Sequence, residues 1–405
     1  MYLWCGEDIS PGAKSNISHR SLFPAANPWL PSEPTPPGGN HKWDHVNSLD
    51  KLVRQVYKRR MALLVRNGDI VTASERYVAD ILCADETITR IEPNIQPPPG
   101  AEVIDATGKY VFPGFIDPHV HIYLPCMGTF AKDTHETASQ AALVGGTTTL
   151  IEMPGPDRNQ EPMAGFELWL DKARGHCACD FTFHMTVSRY DDAAEKQLVE
   201  IVKRGVGSFK IYLAYNDAFG LNDQELYRTL RLAKRLGVIT TAHCENADLI
   251  EELQNKLLAE RKTGPEWHHD SRPPIVEAEG VNHLMTFAEL LDAHVYIVHL
   301  SCKEALHAFL AARTRGVKVW AETLIQYLLL DKTHAERPDF EGAKFLMSHP
   351  CATGATRTSC GTGCATARSA RSPPTTRRLT LPPKSGWANR ISLRSLTVSL
   401  RSKTG

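Results

Sequence analysis

Residues 111–122 read VFPGFIDPHVHI, an apolar run that ends on two histidines one residue apart, His119 and His121. Successive side chains of an extended segment point to opposite faces, so residues at this spacing share a face and can reach one ion. Imidazole is a common ligand of Zn2+ and similar metals. Two ligands do not make a metal site, and the reading turns on what the rest of the chain supplies.

Downstream, short apolar runs alternate with stretches of helical period. TTTLIEM, DFTFHMTV, SFKIYLAY, VITTAHCE, AHVYIVHLS and VKVWAETL are separated by segments such as DAAEKQLVEIVKRG and NDQELYRTLRLAKRLG. Strands alternating with helices imply parallel β-α units. Seven strands, near residues 111, 147, 181, 208, 238, 294 and 317, predict an α/β fold of the (β/α)8 TIM-barrel type. Functional residues of such barrels lie at the C-terminal strand ends.

The unusual polar residues fall at those ends. His243 closes the fifth strand in TTAHCEN, His299 closes the sixth in YIVHLSC, and Lys210 sits inside the apolar run SFKIYLAY. A single histidine in a β-run is more often a hydrogen-bonded core residue, and a single lysine can snorkel to solvent. Four histidines and a lysine at the strand ends of one barrel are harder to place that way. A buried lysine loses its proton readily. The neutral amine can add CO2 to give a carbamate, an anionic two-oxygen ligand able to bridge two ions. His176 and Trp267-His268-His269 fall in loops or helices and receive no role.

The flanks are different material. Residues 1–60 are rich in Pro, Ser, Asn and Gly, which predicts an unstructured leader or an upstream extension of a chain starting at Met61. Residues 61–110 alternate apolar and polar residues between turn signals such as Asn67-Gly68-Asp69, as in a small antiparallel, sandwich-like β module. The barrel occupies 111–350. The formal net charge of zero argues against nucleic-acid or anionic-membrane partners, but it is unevenly spread. Residues 351–405 carry ten Lys/Arg and no Asp or Glu, leaving 36 basic against 46 acidic residues in 1–350. Ten scattered cysteines without framework spacing read as reduced thiols. With no apolar run of about 18 residues and no signal pattern, the expected location is the cytoplasm.

The segments PGFIDPHVHIYLP, SFKIYLAY, AHCEN and VHLSCKEAL resemble those of the dihydropyrimidinase (hydantoinase) family within the amidohydrolase superfamily. The resemblance spans residues 61–350. It implies that His119, His121, carboxylated Lys210, His243 and His299 hold two divalent metal ions, zinc first among them. It further implies that Tyr215 polarises the substrate carbonyl and that the backbone of Ser348, in FLMSHP, contacts the ring amide. The implied reaction opens a small-molecule cyclic amide, a 5,6-dihydropyrimidine or hydantoin, to an N-carbamoyl amino acid, in a homotetramer. Allantoinase-type hydrolysis and a catalytically inactive scaffold of the same ancestry are the alternatives.

The chain departs from the family pattern in one place. The family carries an aspartate after its eighth strand, in a segment like TDHAPF, as metal ligand and general base. Residues 350–405 contain no Asp or Glu. Regrouping the codons from His349 onward by one frame, with free choice of wobble base, yields a reading similar to the family's continuation, TDHAPF included. The expectation is therefore an out-of-frame, disordered tail over 351–405, a barrel incomplete after about seven strands, and impaired hydrolysis.

Overall fold

Gly114 interrupts the opening run and divides two structural units. The computed structural model describes residues 62–84, 87–126 and 129–350, together with the backbone of Leu396–Ser399. The leader expected over 1–60 and the rest of the tail expected over 351–405 lie outside the described residues.

Upstream of Gly114, β1 (Leu63–Val71) pairs antiparallel with β2 (Arg76–Ala84), which pairs antiparallel with β3 (Thr87–Glu92). β4 (Glu102–Asp105) and β5 (Tyr110–Pro113) run parallel to the first and second halves of β1. The tail strand Leu396–Ser399 pairs antiparallel with β5. The module is thus a mixed sheet, not a purely antiparallel one, and it reaches Pro113 instead of stopping at 110. Val65, Ile70, Ala79, Ile81 and Val111 form its core. Asn67-Gly68 marks a bulge inside β1, not a turn: the register slips between Val65 and Gly68, and Asn67 adopts φ 57°. The Asn67 N–H donates to Asp80 Oδ1 at 2.8 Å, which pins the bulge. A Cβ at Gly68 would lie 2.7 Å from Val111, so β5 packs against bare backbone there.

Downstream, β6 (Phe115–Val120) carries His119, and His121 follows just past its end. A two-residue-per-strand hairpin, β7 (Pro125–Cys126) and β8 (Thr129–Phe130), follows. The parallel succession continues with β9 (Thr147–Glu152), β10 (Asp180–Phe183), β11 (Met185–Thr186), β12 (Ser208–Tyr212), β13 (Ile239–His243), β14 (Val295–Ile297) and β15 (Val319–Ala321). β10 and β11 are two halves of one strand, parted at His184, whose N–H still donates to Glu152 O at 2.7 Å. Seven parallel strands therefore stand in the order β6, β9, β10/β11, β12, β13, β14, β15. Among the described residues β6 and β15 pair only inward, and Phe115, Ile116 and Trp320 on them are exposed.

Helices cover the outside. Asp223–Leu236 shows the logic: Asn222 and Glu225 form a capping box, Gly237 closes the end at φ 70°, and Leu226, Leu230 and Ala233 face inward at helical spacing. They pack with Phe209 and Ile211 of β12 and with Val281 and Leu284 of the helix Pro274–Leu291. No described helix is long and apolar enough to cross a membrane. Helix Pro274–Leu291 approaches the loop after β13 backbone to backbone, for a Cβ at Gly280 would lie 2.6 Å from the carbonyl carbon of Cys244. Gly280→Ala is therefore expected to push this helix outward and destabilise the chain by about 1–3 kcal/mol, read by urea denaturation. An unchanged midpoint would show that the contact yields freely.

Candidate metal centre

Four histidines at or just past strand ends gather around Lys210, the middle residue of β12. His119 and His121 leave β6 with ring centroids 5.3 Å apart, and His119 lies 5.3 Å from His299 by the same measure. His243, the last residue of β13, brings Nδ1 to 3.2 Å from Nε2 of His299, just beyond β14. Lys210 is fully buried in β12, and its ammonium bears electrostatically on all four of these imidazoles. The five residues singled out from the sequence thus converge.

The site is built to keep these groups uncharged. Burial, above all, lowers the imidazoles: His243 falls to about 3, and His121 and His299 lie well below the ordinary value. Burial likewise lowers Lys210 to about 7, with Glu322 opposing it. Neutral imidazole is the state that binds a metal. The nitrogens of His243 and His299 fit one shared ion, since two ligands with bonds of about 2.0–2.1 Å on a tetrahedral ion stand about 3.3 Å apart. Lys210 Nζ is buried without a hydrogen-bond partner, as are Nδ1 of His121 and Nδ1 of His299. Buried polar atoms left unpartnered in one cluster fit a site completed by a cation.

Carboxylates hold the opposite side of several rings. His119 Nδ1 contacts Glu322, a residue just past β15, whose other oxygen accepts from Tyr296 OH at 3.2 Å. His243 Nε2–H donates to Glu245 Oε2 at 2.7 Å, and Arg272 also binds that carboxylate. Burial works to raise Glu245, but His349, His243 and Arg272 outweigh it and hold the carboxyl well below its usual range. A carboxylate on the far nitrogen fixes the tautomer and turns the near nitrogen toward a metal.

Tyr215 and Ser348 stand beside this cluster. The Tyr215 ring lies 5.3 Å from that of His243 and 5.3 Å from the Arg272 guanidinium, and Ser348 and Arg272 bear on its hydroxyl. Burial raises its pKa, so it remains a donor. The preceding Met347 carbonyl accepts from His268 Nε2 at 3.0 Å, which gives His268, at the start of the short helix His268–Ser271, a place in the architecture that the sequence did not signal.

Sequence reasoning missed Glu245, Glu277, Glu322, Arg272 and His349. Glu245 was detectable, because it follows His243 at the same two-residue spacing that links His119 and His121. Glu322 stands at a strand end in VKVWAETL, where its likeness to an ordinary solvated carboxylate hides it. Glu277 lies in the first turn of the helix Pro274–Leu291, where an acidic residue reads as an ordinary helix start.

Comparison with known proteins bears on the whole region. The model of the family described as "Amidohydrolase family" matches residues 110–328. A D-hydantoinase of Geobacillus stearothermophilus is 42% identical over 291 residues, covering 72% of this chain and 62% of that protein. A dihydropyrimidinase of Dictyostelium discoideum is 36% identical over 290 residues, covering 71% and 58% respectively. The solved D-hydantoinase (dihydropyrimidinase) from Thermus sp. superposes with a TM-score of 0.74 at 58% identity, over 75% of this chain and 67% of that one. The chain spans about three-fifths of the length of the curated relatives it matches.

The buried imidazoles set a pH dependence for the metal-free chain. Burial lowers His184 from 6.5 to about 4, and His184 accepts from Ser208 Oγ at 2.5 Å while donating to Pro118 O at 2.9 Å. Unfolded imidazoles take up protons first as pH falls, so a lowered folded pKa gives stability that is full above 6.5 and lost below it. His349, raised by Glu277 and Glu245 against its own burial, offsets part of this. Thermal denaturation is expected to show stability falling progressively from pH 6.5 to 4, with a shallower slope in His184→Gln. A flat profile in both proteins would contradict it.

Proposed function

Because this chain belongs to the amidohydrolase family, in its hydantoinase and dihydropyrimidinase branch, we propose that it hydrolyses a cyclic amide, a 5,6-dihydropyrimidine or hydantoin, to an N-carbamoyl amino acid. The observation that carries this reading is the partnerless, fully buried Lys210 amine set among His119, His121, His243 and His299. In this reading the lysine bears a carboxyl group, and the five residues hold two divalent ions, zinc by the preference of imidazole nitrogen and carboxylate oxygen. When bound, such ions polarise a carbonyl and lower the pKa of water.

The chain's own residues supply orientation and hydrogen bonding. Glu322 and Glu245 fix the rings of His119 and His243, so that the ligating nitrogens keep their direction. Tyr215, anchored by Arg272 and Ser348, is the donor for an oxygen that gains negative charge as the ring opens. The backbone at Ser348 offers the ring amide its hydrogen bonds. The leaving ring nitrogen needs a proton, and residues 350–405 hold no Asp or Glu to deliver it. Turnover is therefore expected to be low.

Two variants test the assignment. Lys210→Ala is expected to lose bound metal and all hydrolysis of dihydrouracil and hydantoin. Tyr215→Phe is expected to keep its metal while kcat falls by about 10²-fold. Metal content by mass spectrometry and ring opening by ultraviolet absorbance provide the readings. A folded wild-type chain that takes up no zinc would instead support the inactive scaffold.

A further inference from the structure

His349 is 1% exposed and lies against the histidine pair that ends β13 and follows β14. Its ring centroid is 4.6 Å from that of His243 and 4.6 Å from that of His299, both in edge-on contact. One ring nitrogen from each of the three residues falls within 4.8 Å of the other two. His349 Nδ1 faces Glu277 Oε2 at 3.0 Å, and Glu277 is itself fixed by the Ser301 N–H at 2.8 Å and the Ser301 hydroxyl at 2.5 Å. As at His243, one ring nitrogen stands near a carboxylate; the other, Nε2, lies 3.9 Å from Glu245 Oε2, and neither ring nitrogen makes a hydrogen bond. The backbone holds His349 there, since its carbonyl accepts from Tyr327 OH at 2.9 Å and Met347 O accepts from His268.

We propose that His349 is a protein ligand to the ion held by His243 and His299, completing a three-histidine site that closes a coordination position from within the chain. The inference rests on the reading of His243 and His299 as metal ligands and adds a ligand that this reading does not contain. Three imidazoles on one ion are a full set of protein ligands for zinc-like metals. Each of the three comes from a different segment: the end of β13, the residue pair after β14, and the loop following the last described helical turn. A third imidazole supplied from the chain leaves such an ion fewer open positions than two histidines alone would.

Cobalt(II) tests this in the full chain, with affinity measured by chelator competition and the ligand set read from the visible ligand-field bands. His349→Ala is expected to weaken cobalt binding at least tenfold and to shift the bands. His349→Gly is expected to behave alike and to regain the wild-type spectrum when free imidazole is added, which a purely structural role would not produce. Wild-type affinity and spectrum in His349→Ala, with His243→Ala weakened, would overturn the ligand role of His349 alone and leave it as a cation paired with Glu277 and Glu245. Unchanged cobalt binding in His243→Ala as well would remove the underlying metal reading, and the proposal with it.

Discussion

An amine buried without a hydrogen-bond partner is the constraint on which the site depends. Lys210 sits in the middle of β12 with no hydrogen-bond acceptor for its Nζ. Leaving an ammonium there is expensive, because transfer from water is repaid only by a counter-charge or hydrogen bonds. Folding therefore favours the neutral amine, and the surrounding imidazoles are driven neutral by the same burial. Unpartnered polar atoms gathered in so dry a place are costly unless something further satisfies them. The barrel supplies the framework: parallel strands place these side chains at one rim, and the helices outside supply the apolar packing that keeps water away.

Negative charge is kept one step back from this cluster. Glu322, Glu245 and Glu277 approach the far side of His119, His243 and His349. None stands alone, since each also accepts from a backbone amide, a hydroxyl or a guanidinium. The rings of His119 and His243 are thereby held in orientation by groups of this chain.

Much of this was legible in the sequence because period-2 alternation is a strong local signal. The HVH spacing, the lysine inside SFKIYLAY and the histidines closing two later strands all follow from it, and the structure brings those five residues together. The seven-strand succession was legible for the same reason. Its first boundary was not: Tyr110–Pro113 is apolar like the barrel strand after it, and only pairing with β1 assigns it to the module. Asn67-Gly68 reads as a turn in one dimension, yet a bulge uses the same left-handed residue. The carboxylates behind the rings were the least visible, because their partners are distant in sequence: 203 positions separate His119 from Glu322. His349 stands where the family pattern breaks, and the rings it meets, His243 and His299, are distant in sequence, so no local pattern marks it.

The close approach at Gly280 has a mechanical side. Gly280 touches Cys244, the residue between His243 and Glu245, while Glu277 projects from the same helix one turn earlier. One rigid rod therefore carries the carboxylate behind His349 and braces the loop bearing the carboxylate behind His243. The two rings share a common mount, and a slide of that helix along its axis would retune both together, as one key turning two tumblers.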